Sequence, residues 1–315
     1  MNTLDKLDVI ALGGNAILPA GKTGTIAEQV AITWTVMAEI EGIFAAGRRV
    51  VLTHGNGPIV GNIVVRNEAM KYSIPPMPLD VCGADSQGGI GYMIQQTLRN
   101  VLREMGQEAD VVSVVTQVLV DEHDPAFNDP VKPIGPYYRK EKAEALAAKR
   151  GWKMAPGQRG YRRVVPSPYP REIVEIEVIR SLVRSGVIVV TVGGGGIPVV
   201  LRGGRYYGVE AVIDKDLASS LLARKLGAER LIIITNVDAV YADYGKPDAS
   251  RLANATLAEM KELLREGHFP PGSMGSKIQA AVEFLDAGGR SVIVTQPGCL
   301  LDAVAGRAGT TIRRE

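Results

Sequence analysis

In Gly208-Val-Glu-Ala-Val-Ile-Asp-Lys-Asp-Leu-Ala-Ser219, an apolar run gives way to a helical pattern. The run before Asp214 is typical of a strand end. The helical period after it brings four leucines to one side, Leu217, Leu221, Leu222 and Leu226. Asp214 is then predicted to be the N-cap, and Lys215 lies in the first turn, where a cation opposes the helix dipole. An anion at the helix start would remove this conflict, because N–H groups, dipole and ammonium would all face it.

The same arrangement recurs near the other end of the chain. Gly272-Ser-Met-Gly-Ser-Lys277 opens another helical pattern and places Lys277 in its first turn. Each lysine alone is typical of a solvated surface position. Two lysines, each at the start of a helix in an α/β pattern, favour a phosphate-binding site.

Strand and helix patterns alternate along the chain. Strands are predicted at 9–13, 50–53, 111–120, 187–192, 231–235 and 291–295, and helices at 26–37, 58–70, 86–105, 214–227, 256–266 and 276–287. A hairpin is predicted from 198–201 and 205–209, joined by Gly203-Gly204. This alternation indicates an α/β fold with an open, mainly parallel sheet covered by helices on both faces. Ligands are expected at the carboxyl ends of the strands.

Composition excludes several classes of protein. The chain has 315 residues and a net charge of +2, so no overall basic field favours nucleic acid. The longest apolar stretches fall short of the ~18 residues of a membrane helix, and the charged start is not expected to be a signal peptide. The two cysteines, Cys82 and Cys299, are expected to be buried structural thiols in a reduced, cytoplasmic setting. No metal site of the protein's own is predicted.

Residues 122–170 break the α/β pattern. They hold 8 of the 18 prolines and 10 Lys/Arg against 5 Asp/Glu, an excess of +5 in a chain of net charge +2. We interpret this segment as a small inserted subdomain that brings cationic side chains over an anionic ligand. The alternative is a solvated loop with no ligand.

Glycine-rich loops follow three predicted strands, at 13–14, 55–57 and 193–196. Glycine lets backbone N–H groups approach phosphate oxygens closely. The three histidines form no evident Ser–His–Asp set, and His54 is expected to be a packing or hydrogen-bonding loop residue. Phosphoryl transfer to an anionic oxygen needs positioning and charge neutralisation more than a proton carrier, so this scarcity of acid–base residues fits phosphoryl transfer.

The chain resembles the carbamate kinases of the amino-acid-kinase superfamily over essentially its whole length. The motifs that carry the resemblance are Ala11-Leu-Gly-Gly-Asn-Ala16, Thr53-His-Gly-Asn-Gly-Pro58, Leu79-Asp-Val-Cys-Gly83, Ser86-Gln-Gly88, Ile90-Gly-Tyr-Met93, Asp124-Pro-Ala-Phe127, Lys132-Pro-Ile-Gly-Pro136, Gly160-Tyr-Arg-Arg-Val-Val-Pro-Ser-Pro168, 193–198, 208–219 and Gly272-Ser-Met-Gly275. So many ordered matches make the resemblance specific.

The resemblance implies an open αβα sandwich of the amino-acid-kinase type with a protruding subdomain at about 122–170. It implies one domain over 1–315, with an N-lobe at about 1–185 for carbamoyl phosphate and a C-lobe at about 186–315 for nucleotide. It also implies a homodimer that transfers phosphate between carbamoyl phosphate and ADP, giving carbamate and ATP, with Mg²⁺.

The resemblance assigns roles to individual residues. Catalytic roles fall to Lys132, Lys215 and Lys277, with Asp214 orienting the lysines. Carbamoyl phosphate would be held by Gly13, Gly14, Asn15, Gly55, Asn56 and Gly57. Nucleotide would be held by Gly194, Gly195, Asn236, Val237, Tyr241, Met274, Gly275 and Lys277.

Three positions depart from the usual family pattern. Ile59 stands where the family usually has Gln, Asp85 where it has Met, and Ser276 where it has Pro. Asp85 lies near the expected substrate side or dimer face, so it bears on substrate preference and assembly. The alternatives are another kinase of the superfamily, acting on a carboxylate or a phosphomonoester, and a non-catalytic regulatory module.

Overall fold

The computed structural model describes residues 5–18, 24–157, 159–270, 272 and 274–315, except for the side chain of Asn15. The strands are β1 (Leu7–Leu12), β2 (Arg49–His54), β3 (Val111–Ser113), β4 (Gln117–Leu119), β5 (Lys132–Tyr138), β6 (Met154–Gly157), β7 (Gly160–Val165), β8 (Glu172–Ile173), β9 (Ile188–Val190), β10 (Ile197–Arg202), β11 (Arg205–Gly208), β12 (Arg230–Ile234), β13 (Val240–Ala242), β14 (Ser250–Leu252), β15 (Asn254–Thr256), β16 (Ser291–Thr295) and β17 (Thr310–Arg313). The α-helices are α1 (Ile26–Ala45), α2 (Gly57–Met70), α3 (Leu79–Glu104), α4 (Lys140–Arg150), α5 (Ile176–Arg184), α6 (Lys215–Leu226), α7 (Leu257–Arg265), α8 (Met274–Asp286) and α9 (Leu300–Val304).

An eight-stranded sheet forms the centre of the molecule, in the order β15-β17-β16-β12-β1-β2-β9-β3. Neighbouring strands run parallel except where β17 meets β16. Strand β1 is buried on both faces, with Val9 and Ala11 in one hydrophobic cluster and Ile10 and Leu12 in the other. Helices α5, α6 and α8 contribute to the first cluster, and α1 and α3 to the second. The predicted mainly parallel sheet with helices on both faces is therefore confirmed.

Local sequence explains where the principal helices begin and end. Helix α1 starts at a capping box in which the Thr25 hydroxyl accepts the Glu28 N–H and the Glu28 carboxylate accepts the Thr25 N–H. Helix α6 has Asp214 as its N-cap, as predicted, and ends at Gly227, which adopts a left-handed conformation.

The stretch 111–120, predicted as one strand, is two strands in different sheets. Val114 and Thr116 lie between β3, at the edge of the central sheet, and β4, in a four-stranded sheet ordered β11-β10-β4-β8. The Thr116 hydroxyl donates to the Val114 carbonyl at 2.7 Å, a local bond that competes with strand pairing. Helix α3 also begins earlier than predicted, directly after Pro78, which needs no N–H partner at a helix start.

Strands β5, β7 and β6 form a small antiparallel sheet inside the 122–170 segment, and α4 accompanies it. The predicted hairpin is confirmed, with β10 and β11 antiparallel around Gly203-Gly204 and Arg202 opposite Arg205. Of the two free cysteines, Cys82 is buried as expected, whereas Cys299 is partly exposed. Among the described residues, none of the helices combines the length and apolar character needed to cross a membrane.

Candidate active site

A cleft of about 300 Å³ opens at the carboxyl edge of the central sheet. Four strand ends meet there, because parallel strands that neighbour one another finish at the same edge. The cleft is lined by Gly13, Gly14, Gly55, Asn56, Gly57, Pro58, Lys132, Pro133, Ile134, Gly194, Val212, Ile213, Asp214, Lys215, Asp216, Thr235, Asn236, Gly272, Ser276 and Lys277. The lysines singled out by the sequence thus share one cavity with the glycine loops.

Two of these lysines share one buried carboxylate, that of Asp216. Lys277 Nζ donates to Asp216 Oδ2 at 2.9 Å. Lys215 Nζ lies 2.7 Å from Asp216 Oδ1, but the angle does not make this ion pair a hydrogen bond, and Lys215 Nζ has no hydrogen-bond partner in the described part of the chain. Lys215 therefore keeps N–H donors for a ligand, and its charge at the helix start is offset by a neighbour rather than unopposed.

Asp214 holds the third lysine. Its Oδ1 accepts the N–H groups of Asp216 and Leu217 at the start of α6, and its Oδ2 accepts a 2.6 Å hydrogen bond from Lys132 Nζ. The direct contacts of Lys215 and Lys277 are with Asp216, and Asp214, which the resemblance gives the role of orienting the lysines, acts on these two only through its charge. Because Asp214 already uses two N–H groups of the first turn, anion binding at this helix start rests on the ammonium rather than on those amides.

Burial and charge shift the pKa values of this cluster in different directions. Burial lowers the pKa of Lys215, and the charge of Asp216 only partly offsets this. Burial also acts to lower the pKa of Lys277, but Asp216 outweighs it and the pKa is raised. Burial acts to raise the pKa of Asp216, yet the two ammonium groups hold it well below its usual range. Asp216 is therefore a permanent anion that keeps two cations together at the cleft.

The third glycine loop is packed against the second. Gly194, at φ +67°, leaves no room for a side chain, since a Cβ there would lie 2.1 Å from Asn56 Nδ2. Asn56 Nδ2 in turn donates to the Ser86 hydroxyl on α3 at 2.8 Å. Val192, just before this loop, adopts a left-handed φ of 51°, which is unfavourable for a β-branched residue. The loop conformation is thus imposed by surrounding packing.

The inserted segment reaches the cleft through a contact between two glycines. A Cβ on Gly61 of α2 would lie 1.9 Å from the Cα of Gly135 in β5, so only glycine at 61 permits this approach. The Gly135 carbonyl also accepts a 2.9 Å hydrogen bond from Arg162 Nε of β7. This contact places β5 on α2 and brings Lys132, at the first position of β5, to Asp214.

His54, at the end of β2, is buried beneath Gly193, where a Cβ would lie 2.4 Å from His54 Nε2. Burial lowers the pKa of His54 to about 4, with the positive charge of Lys215 acting in the same direction. The ring is neutral at physiological pH, and it does not line the cleft. This is consistent with the packing role expected from the sequence.

Not every sequence-predicted site residue faces the cleft. Gly195, Val237, Tyr241, Met274 and Gly275 are not among its lining residues, and the side chain of Asn15 lies outside the described part of the structure. Tyr241, for example, donates to Asp238 Oδ1 at 3.2 Å and packs edge-on against Tyr244. These assignments stay predictions.

The structure adds Asp216 to the site residues assigned from the sequence, and Asp216 could have been found as the second carboxylate of Asp-Lys-Asp. Thr235 opens the stretch 235–241 that the resemblance places at the wall of the nucleotide site, and it lines the cleft. Of the departures from the family pattern, Ser276 lines the cleft, while Ile59 and Asp85 line a separate cavity of about 600 Å³ formed by residues of α1, α2 and α3.

Residues 6–296 match the profile of the amino acid kinase family. The chain is 47% identical to a carbamate kinase of Pyrococcus horikoshii over 307 residues, which cover 96% of this chain and 98% of that one. A structure of carbamate kinase from Giardia lamblia bound to citric acid superposes with a TM-score of 0.94 at 43% identity, covering 99% of this chain and 100% of that chain. A second structure from Giardia lamblia, bound to AMP-PNP, has a TM-score of 0.91 at 45% identity, with coverage of 99% and 100%.

Proposed function

The chain belongs to the amino acid kinase family, within its carbamate kinases, and we propose that it transfers a phosphoryl group reversibly between carbamoyl phosphate and ADP, giving carbamate and ATP. The observation that carries this proposal is the pairing of Lys215 and Lys277 with one buried Asp216, with Lys132 held at the adjacent Asp214. Three cations and two anions leave a local charge of +1 (3 − 2), suited to a phosphoryl group.

The reaction requires no proton transfer. An oxygen of the ADP β-phosphate attacks phosphorus, the bond from phosphorus to the carbamate oxygen breaks, and the electron pair leaves with carbamate as a carboxylate anion. His54 is buried and neutral behind the loop, so it is not placed to act as an acid or base, and the reaction needs none. Positioning and charge stabilisation are the main contributions of such a site.

The lysines stabilise the charge of the phosphoryl group in transit. One ammonium at ~4 Å from a phosphoryl oxygen contributes roughly 4 kcal/mol at an effective dielectric constant near 20. Lys215, whose Nζ makes no hydrogen bond with the described residues, is the best placed to gain contacts as the charge moves. Lys132 reaches the same place from the inserted segment. Its ammonium would contact the phosphoryl group once it leaves the Asp214 carboxylate for the substrate.

We assign the two substrates to opposite sides of the cleft. The glycine loops after β1 and β2, with Asn56, would hold carbamoyl phosphate through backbone N–H groups. Asn236, Ser276 and Lys277, after β12 and at the start of α8, would hold ADP, and Gly195, Val237, Tyr241, Met274 and Gly275 would line the remainder of the nucleotide site.

Mg²⁺ would enter as the MgADP complex. Among the described residues, no three His, Cys, Asp or Glu side chains are grouped so that they could hold a metal ion. Mg²⁺ commonly keeps several waters and is held by substrate phosphates with one or two carboxylates, so such a site needs no protein cage. We further propose that the enzyme is a cytoplasmic homodimer, which analytical ultracentrifugation of the purified chain would test.

A coupled assay tests the reaction directly. The purified chain with MgADP and carbamoyl phosphate should form ATP well above a blank without enzyme, which corrects for spontaneous decay of carbamoyl phosphate. N-acetylglutamate and nucleoside monophosphates, each supplied with MgATP, are the competing acceptors. Phosphorylation of one of these without ATP formation from carbamoyl phosphate would show that the proposed substrate is wrong.

A further inference from the structure

A second charged cluster lies at the opposite edge of the central sheet, where β1, β12 and β16 begin. Asp8 of β1 is fully buried and accepts paired hydrogen bonds from two guanidinium groups. Arg48 donates through Nε at 2.6 Å and Nη2 at 2.8 Å, and Arg230 through Nε at 2.8 Å and Nη2 at 2.5 Å. Four donors saturate the two oxygens of Asp8, so this carboxylate can accept no more.

Two further arginines line the same cavity, and fewer carboxylates neutralise their charges. Glu229 accepts from Arg48 Nη2 at 2.9 Å and from Arg290 Nη1 at 2.7 Å. Arg313, at the end of β17, has no ion-pair or hydrogen-bond partner among the described residues. Four arginines therefore face two carboxylates, and the cluster carries a formal charge of +2 (4 − 2).

The cluster surrounds a cavity of about 280 Å³. Its other lining residues are Ser291, Ile293, Val304, Ala305, Gly306 and Thr311. The side chains of Arg48 and Arg230 are only 15% and 14% exposed, so their charges are poorly screened by water. Like charges around one cavity repel each other, and an anion in the cavity would replace this repulsion by attraction.

We propose that this cavity binds a phosphate or polyphosphate group, at a site separate from the catalytic cleft. Nη1 of Arg48, Nη1 of Arg230 and the whole guanidinium of Arg313 make no hydrogen bond to any acceptor in the described residues and can donate to a ligand. A planar guanidinium can bind phosphate through two parallel N–H donors, and Arg313 keeps all of its donors for such a contact, whereas Arg48 and Arg230 have given their Nε and Nη2 donors to Asp8. The volume is at the lower end for ligand pockets, so the ligand is small.

This site cannot be an extension of the catalytic cleft. Asp8 and Gly13 are five positions apart along β1 and the residue after it, a distance of about 17 Å at ~3.3 Å per residue. The cleft lies at the carboxyl ends of the strands and the arginine cavity at their amino ends, so one ligand of this size cannot occupy both.

The test is titration of magnesium-free pyrophosphate by calorimetry into the whole protein and three variants. The wild-type chain should bind two equivalents, one in each cavity. R290A/R313A should bind one, with affinity at the lost site at least about tenfold weaker, because charge-assisted contacts are removed. R307A is the matched control, since Arg307 lies at the same edge but pairs with Asp302 outside the cavity. K277A should weaken pyrophosphate binding in the catalytic cleft, and it therefore identifies which of the two binding events belongs to that cleft.

R290A/R313A should keep the melting temperature and the turnover of the wild-type chain, because both side chains are exposed and distant from the cleft. Unchanged stoichiometry in R290A/R313A would overturn the proposal, as would a single equivalent in the wild-type chain that K277A abolishes. Citrate provides a second arm, and binding of citrate without pyrophosphate at this cavity would overturn the assignment to phosphate. None of these outcomes depends on which substrate the enzyme phosphorylates.

Discussion

Replacing Asp216 by asparagine should shift the upper pH limit of turnover, since this carboxylate keeps Lys215 and Lys277 charged. Burial lowers the pKa of Lys215, and Asp216 is the largest opposing influence. Catalysis requires the ammonium form, so turnover falls as pH rises through the pKa of Lys215. Asparagine removes the opposing charge, and the falling limb of the pH profile then moves to lower pH.

The size of the shift follows from the geometry. A pair of unit charges about 4 Å apart interacts by roughly 4 kcal/mol at an effective dielectric constant of 20. Lys215 is only 11% exposed, so solvent screens the pair weakly, although the cleft is open on one side. We therefore expect the falling limb of the Asp216→Asn profile to lie at distinctly lower pH than that of the wild-type enzyme, because an opposite charge in contact favours the ammonium form.

The assay is ATP formation measured across pH in wild-type protein, Asp216→Asn and the control Asp286→Asn, whose carboxylate is about half exposed at the far end of α8. Lowering the pH should restore turnover in Asp216→Asn, an effect that a folding defect would not show. The KM for ADP should rise as well, because Asp216 also raises the pKa of Lys277. If the folded Asp216→Asn variant loses turnover at the same pH as the wild-type enzyme, the role assigned to this carboxylate is refuted.

Three further predictions follow from the cleft and its supports. Lys132→Ala should lower turnover about a hundredfold with little change in melting temperature. Lys140→Ala, in the same segment but 65% exposed, should change neither quantity. Wild-type turnover in Lys132→Ala would show that the inserted segment takes no part in catalysis. His54 has a pKa of about 4 in the folded state against 6.5 in the unfolded state, so the unfolded state binds more protons between these values, and about 3 kcal/mol of stability is lost as the pH falls from 6.5 to 4. The free energy of unfolding in urea should therefore depend less on pH in His54→Gln than in the wild-type protein or in the exposed control His123→Gln. Identical slopes in the three proteins would contradict burial of a neutral ring. Gly61→Ala should push β5 off α2 and lower turnover through Lys132, whereas Gly88→Ala, where a Cβ meets open space, should not; equal turnover in the two variants would show that the glycine contact does not position the lysine.

Features that depend on neighbours in the chain could be predicted from the sequence. The alternation of strands and helices, the start of α6 at its Asp214 cap and the hairpin at Gly203-Gly204 all follow from local periodicity, capping and turn chemistry. The two lysines at helix starts were found in the same way, and because parallel strands end at one edge, the glycine loops could be placed beside them. The structure confirms that they share one cleft.

Features that depend on which elements pack together were decided only by the tertiary structure. Lys277 and Asp216 are 61 residues apart, Lys132 and Asp214 are 82 apart, and Arg230 and Asp8 are 222 apart. Local patterns carry no information about such pairs, since an ion pair forms wherever packing of the hydrophobic faces leaves opposite charges in contact. For the same reason the sequence did not identify Asp216 as the carboxylate between two lysines, because only the approach of α8 to α6 brings Lys277 to it.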